Sequence, residues 1–178
     1  MFSQKTVVIT GASAGVGAAC ARQFAELGAN LVLIARGEED LHAIAKELSA
    51  KTSVLTIVMD VGNIEQCSTL AEQCMARFGS IHILINNAGL HHRGDVETRQ
   101  PNELVAMLDV NLRAPLQLTA ELLPYIKRSG GGSIIMVGSL AGKAPLQGLP
   151  PMEPPRLVYA LLPMPLMMNW WARVSMSV

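Results

Sequence analysis

The chain has 178 residues, half of them hydrophobic, and its 14 Lys and Arg residues balance 14 Asp and Glu residues to a formal charge of zero. That length suits one domain with a single sizeable core and is too short for a second domain of ordinary size. The neutral balance and the lack of any Lys or Arg run argue against partners that are nucleic acids or anionic membrane surfaces.

Thr6 to Ile9 predicts the first strand, and Thr10-Gly11-Ala12-Ser13-Ala14-Gly15-Val16-Gly17 follows it. Beyond that loop Ala18, Cys20, Ala21, Phe24, Ala25 and Leu27 are apolar at helical spacing, and the helix they predict stops at Gly28. A glycine-rich loop between strand and helix is where the phosphates of a dinucleotide sit. Gly11 lets the chain turn, Gly15 lets backbone approach a pyrophosphate, and Gly17 lets the helix pack close on the strand. Gly11, Ser13, Ala14, Gly15, Val16 and Gly17 are therefore candidate phosphate contacts, with backbone N–H groups at the helix N-terminus facing the anion. The bland alternative is a glycine-rich turn with no ligand.

Leu31 to Ile34 predicts the second strand, Leu41 to Leu48 a helix, and Val54 to Met59 the third strand. Ile64, Cys67, Ala71, Cys74, Met75 and Phe78 recur at three- and four-residue spacing, one apolar stripe on one helix. Ile81 to Ile85 reads as a strand buried on both faces. Glu103 to Arg128 reads as a long helical region with a kink or restart at Pro124, and Gly130-Gly131-Gly132 breaks it before the strand Ile134 to Val137. Strands alternating with helices predict an α/β fold with a parallel sheet covered on both faces. Cys20, Cys67 and Cys74 lie in helical patterns without metal-ligand spacing, so buried free thiols, no metal site and a reducing cytoplasm are expected. His91-His92 also lacks a carboxylate at ligand spacing. No charged-then-apolar leader opens the chain. The apolar stretch Leu157 to Ala172 is broken by Pro163, Pro165 and Asn169 and falls short of the roughly 18–20 residues that span a bilayer, so no membrane helix is expected.

Two motifs stand in order over residues 5 to about 149, Thr10 to Gly17 and Asn86-Asn87-Ala88-Gly89, each after a predicted strand, and in these the chain resembles the short-chain dehydrogenase/reductase family. Thr10 to Gly17 is similar to that family's Thr-Gly-x-x-x-Gly-x-Gly loop, and Asn86-Asn87-Ala88-Gly89 is similar to its Asn-Asn-Ala-Gly motif. The resemblance implies a Rossmann-type, doubly wound parallel sheet and cofactor contacts at Asn87, Ala88 and Gly89. Asp60-Val61 resembles the family's adenine-contacting pair, Asn111 its helix-borne active-site Asn, and Gly138-Ser139-Leu140-Ala141-Gly142 its catalytic Ser segment. Each has an alternative: Ser139 as a turn cap, Asn111 as a satisfied kink residue, and Asp60 as the cap of a helix starting near Asn63. The resemblance also implies a small-molecule alcohol or carbonyl substrate and leaves a homo-oligomer open. The end of the second strand bears on the cofactor, because a carboxylate there accepts from the 2′-hydroxyl of NAD and a cation pairs with the 2′-phosphate of NADP. Ala35 stands at the acidic position and Arg36 follows, which favours NADP(H) over NAD(H); Ala14, where many NADP-using relatives carry a second base, weakens that preference.

The family's chemistry uses a Tyr acid and a Lys four residues later, and neither stands about a dozen residues past Ser139, where Pro151 and Met152 lie. Tyr159 is followed at that spacing by Pro163, and no Lys occurs after Lys143. From Pro150 glycine vanishes and Pro and Met crowd in. In the neighbouring reading frame Met167-Met168-Asn169-Trp170-Trp171-Ala172 must encode Asp-Glu-Leu-Val-Gly. Pro151 to Arg156 then permits Tyr-Gly-Ala/Thr-x-Lys, the missing pair. The expectation is a dinucleotide-binding domain over residues 1–149, truncated after its fifth strand, and an aberrant tail over 150–178 from a single-base frame change; the alternative is a native, divergent terminus. The chain as written would then be an impaired NADP-dependent oxidoreductase that retains Ser139 and Asn111. The alternatives are a non-catalytic NADP(H)-binding module or interaction subunit, and a fragment that does not stay folded.

Overall fold

The computed structural model describes residues 2–91 and 96–138. Five strands, β1 (Thr6–Thr10), β2 (Asn30–Ala35), β3 (Val54–Val58), β4 (Ile83–Asn86) and β5 (Ser133–Met136), form one parallel sheet in the order β3-β2-β1-β4-β5. Helices α1 (Gly15–Glu26), α2 (Glu38–Leu48), α3 (Ile64–Cys67), α4 (Leu70–Phe78), α5 (Pro101–Leu108) and α6 (Ala114–Arg128) connect them. The parallel α/β sheet expected from the alternation, and the doubly wound order that the resemblance implies, are both observed among the described residues.

Strand alternation sorts the core into two halves. Val8, Val32, Ile34 and Leu84 point to one face and pack with Cys67, Leu70, Ala71 and Cys74 and with Ala114, Leu118, Leu122 and Ile126 of α6. Val7, Ile9, Leu31, Leu33, Ile83 and Ile85 point to the other and pack against Ala18, Ala21 and Ala25 of α1 and Leu41, Ile44 and Leu48 of α2. Each large side chain so buried contributes roughly 1.5–3 kcal/mol against leaving it in water. Among the described residues β5 is an edge strand and is only partly covered, with Ile135 exposed. Cys67 and Cys74 are buried free thiols, pushed up by desolvation to about 11 and about 12, while Cys20 is only half-buried.

Three local expectations need correction. The stripe from Ile64 to Phe78 is two helices: Ser68 and Thr69 turn their hydroxyls back onto the carbonyls of Glu65 and Gln66, and Ile64 stays exposed. The long helical region is interrupted at Asp109–Arg113, a π-helical turn, rather than at Pro124. Pro124 lies inside α6, which runs on to Arg128 without restarting. Finally, the run Ile81 to Ile85 is buried as expected, but the strand starts only at Ile83 and the second residue of the run is polar. His82 is buried, and its Nδ1 accepts the Thr6 N–H at 3.0 Å. Its carbonyl accepts from Ser133 at 2.9 Å, so close to Gly132 that a Cβ there would stand 1.7 Å from the carbonyl oxygen.

An imidazole that accepts from backbone must be neutral at Nδ1. Burial, with a smaller effect from the Lys5 ammonium, pushes the His82 pKa down from its ordinary value. The unfolded chain therefore binds the proton first as pH falls, and stability is full above about pH 6.5 and declines below it. Urea midpoints measured from pH 8 to pH 5 should show this acid limb. His82→Ala should flatten it and cost about 1–3 kcal/mol at pH 8 by stranding the Thr6 N–H; an unchanged slope would exclude His82 as its source.

Candidate functional site

The sheet order places a topological switch between β1 and β4, because β2 and β3 continue to one side of β1 and β4 and β5 to the other. In such sheets the crevice beyond the strands' carboxyl ends is where ligands bind. The β1–β4 ladder pairs Val7 with Ile83, Val8 with Leu84 and Ile9 with Ile85. Beyond it side chains take over. The Thr10 hydroxyl donates to the Ile85 carbonyl at 3.3 Å and accepts the N–H groups of Asn87 and Ala88, each at 2.9 Å. Asn87 Nδ2 answers by donating to the carbonyls of Thr10 (2.9 Å) and Gly11 (3.2 Å). Thr10 is thus a structural member of the site; it opens the loop motif, but the candidate contacts read from the sequence began at Gly11.

Past this clamp the chain turns through Gly11 and Gly15, with φ of +64° and +54°, a region L side chains rarely adopt. A Cβ on Gly15 would meet nothing within 4 Å, so the loop's outer face is open. Gly17 does the opposite: a Cβ there would lie 2.2 Å from the Gly11 carbonyl oxygen and 2.6 Å from Asn87 Nδ2. Its close approach is to the loop's own backbone, not to the strand as expected. Ala14 caps α1 with no side-chain hydrogen bond, and no acidic residue occupies the first turn. Ala14, Gly15 and Val16 are exposed there. The helix N-terminus is left with free donors and its positive dipole end, which suits a phosphate.

Beside the loop lies a cleft of about 310 Å³ lined by Gly11, Ser13, Ile34, Ala35, Arg36, Gly37, Asp40, Met59, Asp60, Val61, Ala88, Gly89, Leu90 and Val110. Of the sequence-assigned residues it gathers Gly11, Ser13, Arg36, Asp60, Val61, Ala88 and Gly89; Asp40, Leu90 and Val110 join from elements whose motifs did not mark them. Arg36 and Asp60 face each other across the cleft, Nη1 to Oδ2 at 3.8 Å, both substantially exposed. Asp60 is not the cap of the following helix. Asn63 takes that role, accepting from Glu65 and Gln66, while Asp60 Oδ1 accepts from the Gly62 N–H at 2.9 Å.

Asn111 sits buried in the π-helical turn, its Oδ1 accepting from the Leu90 N–H and its Nδ2 donating to the Leu90 carbonyl, both at 2.8 Å. Both ends of its side-chain amide are therefore engaged in holding the loop after β4. Asn86 is buried, with Nδ2 within 3.3 Å of Thr119 Oγ1 and Met136 Sδ, and its Oδ1 has no partner among the described residues. Ser139 and the segment where Tyr and Lys were sought lie outside the described residues, as does His92.

A nicotinamide dinucleotide fits what is described at its adenosine and phosphate end. The open loop, the uncapped helix terminus and a cleft with both a cation and carboxylates match those groups. Comparison with known proteins agrees in kind. A family model described as short chain dehydrogenase matches residues 5–151. "Dehydrogenase/reductase SDR family member 7B" of Danio rerio is 34% identical over 149 residues, which cover 80% of this chain and 48% of that protein. The chain thus spans about half the length of that curated relative. A short chain dehydrogenase/reductase from Burkholderia phymatum, solved in complex with NAD, superposes with a TM-score of 0.88 at 28% identity, covering 94% of this chain and 60% of that one. A metagenomic short-chain oxidoreductase in complex with NADP gives 0.81 at 32% identity, covering 97% and 76%.

Two substitutions test the clamp and the loop. Thr10→Val keeps the shape but strands two N–H groups, and should lower stability by about 1–3 kcal/mol in urea denaturation. Gly17→Ala should cost about 1–3 kcal/mol by overpacking against the Gly11 carbonyl. If Gly17→Ala matched the parent in stability, the close approach would be wrong.

Proposed function

This chain belongs to the short chain dehydrogenase family, and from that premise we propose that it holds the NADP(H)-binding part of an oxidoreductase interconverting an alcohol and a carbonyl of a small molecule. The observation that carries this reading is the open glycine loop at an uncapped helix N-terminus, set beside a cleft in which Arg36 is the cation. Bound nicotinamide supplies or accepts a hydride. The chain's own residues do the rest: the loop N–H groups of Ser13 to Gly17 hold pyrophosphate, Ala88 and Gly89 border the cofactor, Asp60 and Val61 receive adenine, and Arg36 pairs a 2′-phosphate. Ser139 orients the substrate oxygen, and the Asn111 carbonyl supports the water that relays a proton.

In this reading the chain as written turns over poorly, because no Tyr-x-x-x-Lys pair follows Ser139 to deliver the proton. The single-base frame change near codon 150 accounts for that loss. Supporting it, the family match ends at residue 151, where composition also shifts. The domain is thus residues 1–149, followed by an aberrant tail over 150–178. Among the described residues no helix is long and apolar enough to cross a membrane, which is compatible with a cytoplasmic protein. A second reading, a non-catalytic NADP(H)-binding module or interaction subunit, including a homo-oligomer, is favoured by exposed Val105, Leu108 and Leu116 on α5 and α6.

Calorimetric titration of the intact chain should show NADPH binding, while a carbonyl panel gives turnover roughly 10²–10⁴-fold below that of a frame-restored variant. Failure to bind NADPH or NADH would defeat the cofactor assignment. Turnover by the chain as written, equal to the restored form, would defeat the impairment. The coding DNA across codons 148–178 provides an independent check: shifted Tyr and Lys codons are expected at Pro151 and Pro155, and their absence would make the tail native and the non-catalytic reading the better one.

A further inference from the structure

Arg36 is the one cation among the described residues that line the cleft, and it does not stand alone there: Asp40 and Asp60 line the same space. Asp60 is held firmly. Its N–H donates to Gln66 Oε1 at 2.9 Å, its carbonyl accepts from the Asn63 N–H at 2.9 Å, and its Oδ1 accepts from the Gly62 N–H at 2.9 Å. The Gly62 carbonyl in turn accepts from Arg113 on the π-helical turn at 3.1 Å. One oxygen of this carboxylate is committed to the backbone. The other, Oδ2, is the atom that faces Arg36 Nη1 at 3.8 Å, too long for a hydrogen bond and within the range of an ion pair.

We propose that Asp60 is a specificity-determining residue, which opposes Arg36 and so limits how strongly the cleft prefers a 2′-phosphorylated adenosine to an unphosphorylated one. The proposal rests on the cofactor reading above. A 2′-phosphate that takes the guanidinium bidentately must do so next to a carboxylate whose Oδ1 is bonded to the Gly62 N–H at 2.9 Å. Like charges a few ångströms apart repel, and Asp40 at the start of α2 adds to the effect. A 2′-hydroxyl meets no such conflict, since it can donate to a carboxylate oxygen. With Ala14 supplying no second cation, the preference of the natural chain for NADP(H) is narrow, and Asp60 is what narrows it.

The test is the ratio of NADH to NADPH dissociation constants, measured by calorimetric titration of the intact chain and of Asp60→Asn. Asparagine keeps an oxygen for the Gly62 N–H and for adenine, so contacts common to the two nucleotides cancel in the ratio. Asp60→Asn should shift the ratio roughly three- to tenfold toward NADPH. Asp60→Ser, which also removes the charge and retains a short oxygen, should shift it the same way and serves if the first variant is unstable by thermal melting. Both nucleotides bound with an unchanged ratio in these variants would overturn the proposal and leave the cofactor reading standing. Neither nucleotide bound by the natural chain would overturn both.

Discussion

Everything at the mouth of this sheet depends on how β1 and β4 separate. Two parallel strands that share a ladder must stop sharing it where the connections to their next helices leave in different directions, and the backbone groups exposed there need other partners. Thr10 and Asn87 supply them. One hydroxyl takes two N–H groups from the far strand's loop, and one carboxamide returns to two carbonyls of the near strand's loop. The two loops at the crevice are thus tied together by side chains that satisfy the backbone on both sides. The glycine loop turns on this fixed point, which is why Gly17, packed against the Gly11 carbonyl and Asn87, has no room for a side chain.

The second support is the π-helical turn between α5 and α6. An extra residue in a helical turn swings side chains out of the regular register. Here three different kinds of contact result. Val110 lines the cleft, Asn111 grips both polar groups of Leu90, and Arg113 reaches the Gly62 carbonyl while pairing with Asp109 at 3.1 Å. The loop after β4 and the loop after β3 are therefore braced from one irregular segment. Both loops that line the cleft are held from this one segment, and the Gly62 N–H that bonds the Asp60 carboxylate lies in the second of them.

Much of this was legible in the chain. Short apolar runs marked the strands and period-3.6 patterns marked most helices, because the sheet buries both faces and each helix buries one stripe. Glycine positions in the loop were legible because positive φ and close backbone contact leave few residue types eligible. The misses share a cause. Ser68 and Thr69 broke a stripe whose apolar spacing continued across them, through local hydroxyl-to-carbonyl bonds that hydrophobic periodicity does not register. The interruption between α5 and α6 fell at Asp109–Arg113, in a stretch without proline or glycine, while Pro124 was accommodated in α6.

By itself the sequence determined the α/β class, the strand–loop–helix that opens it, the family resemblance and the composition shift at Pro150, because each is carried by residues close together in the chain. Only the tertiary structure decided what those residues do to one another. Thr10 and Asn87 are 77 positions apart, Asn111 and Leu90 meet across a helix and a loop, and Arg36 meets Asp60 across the ends of two strands. Such pairings depend on strand order and register, and these are set by how the whole sheet packs rather than by any local pattern.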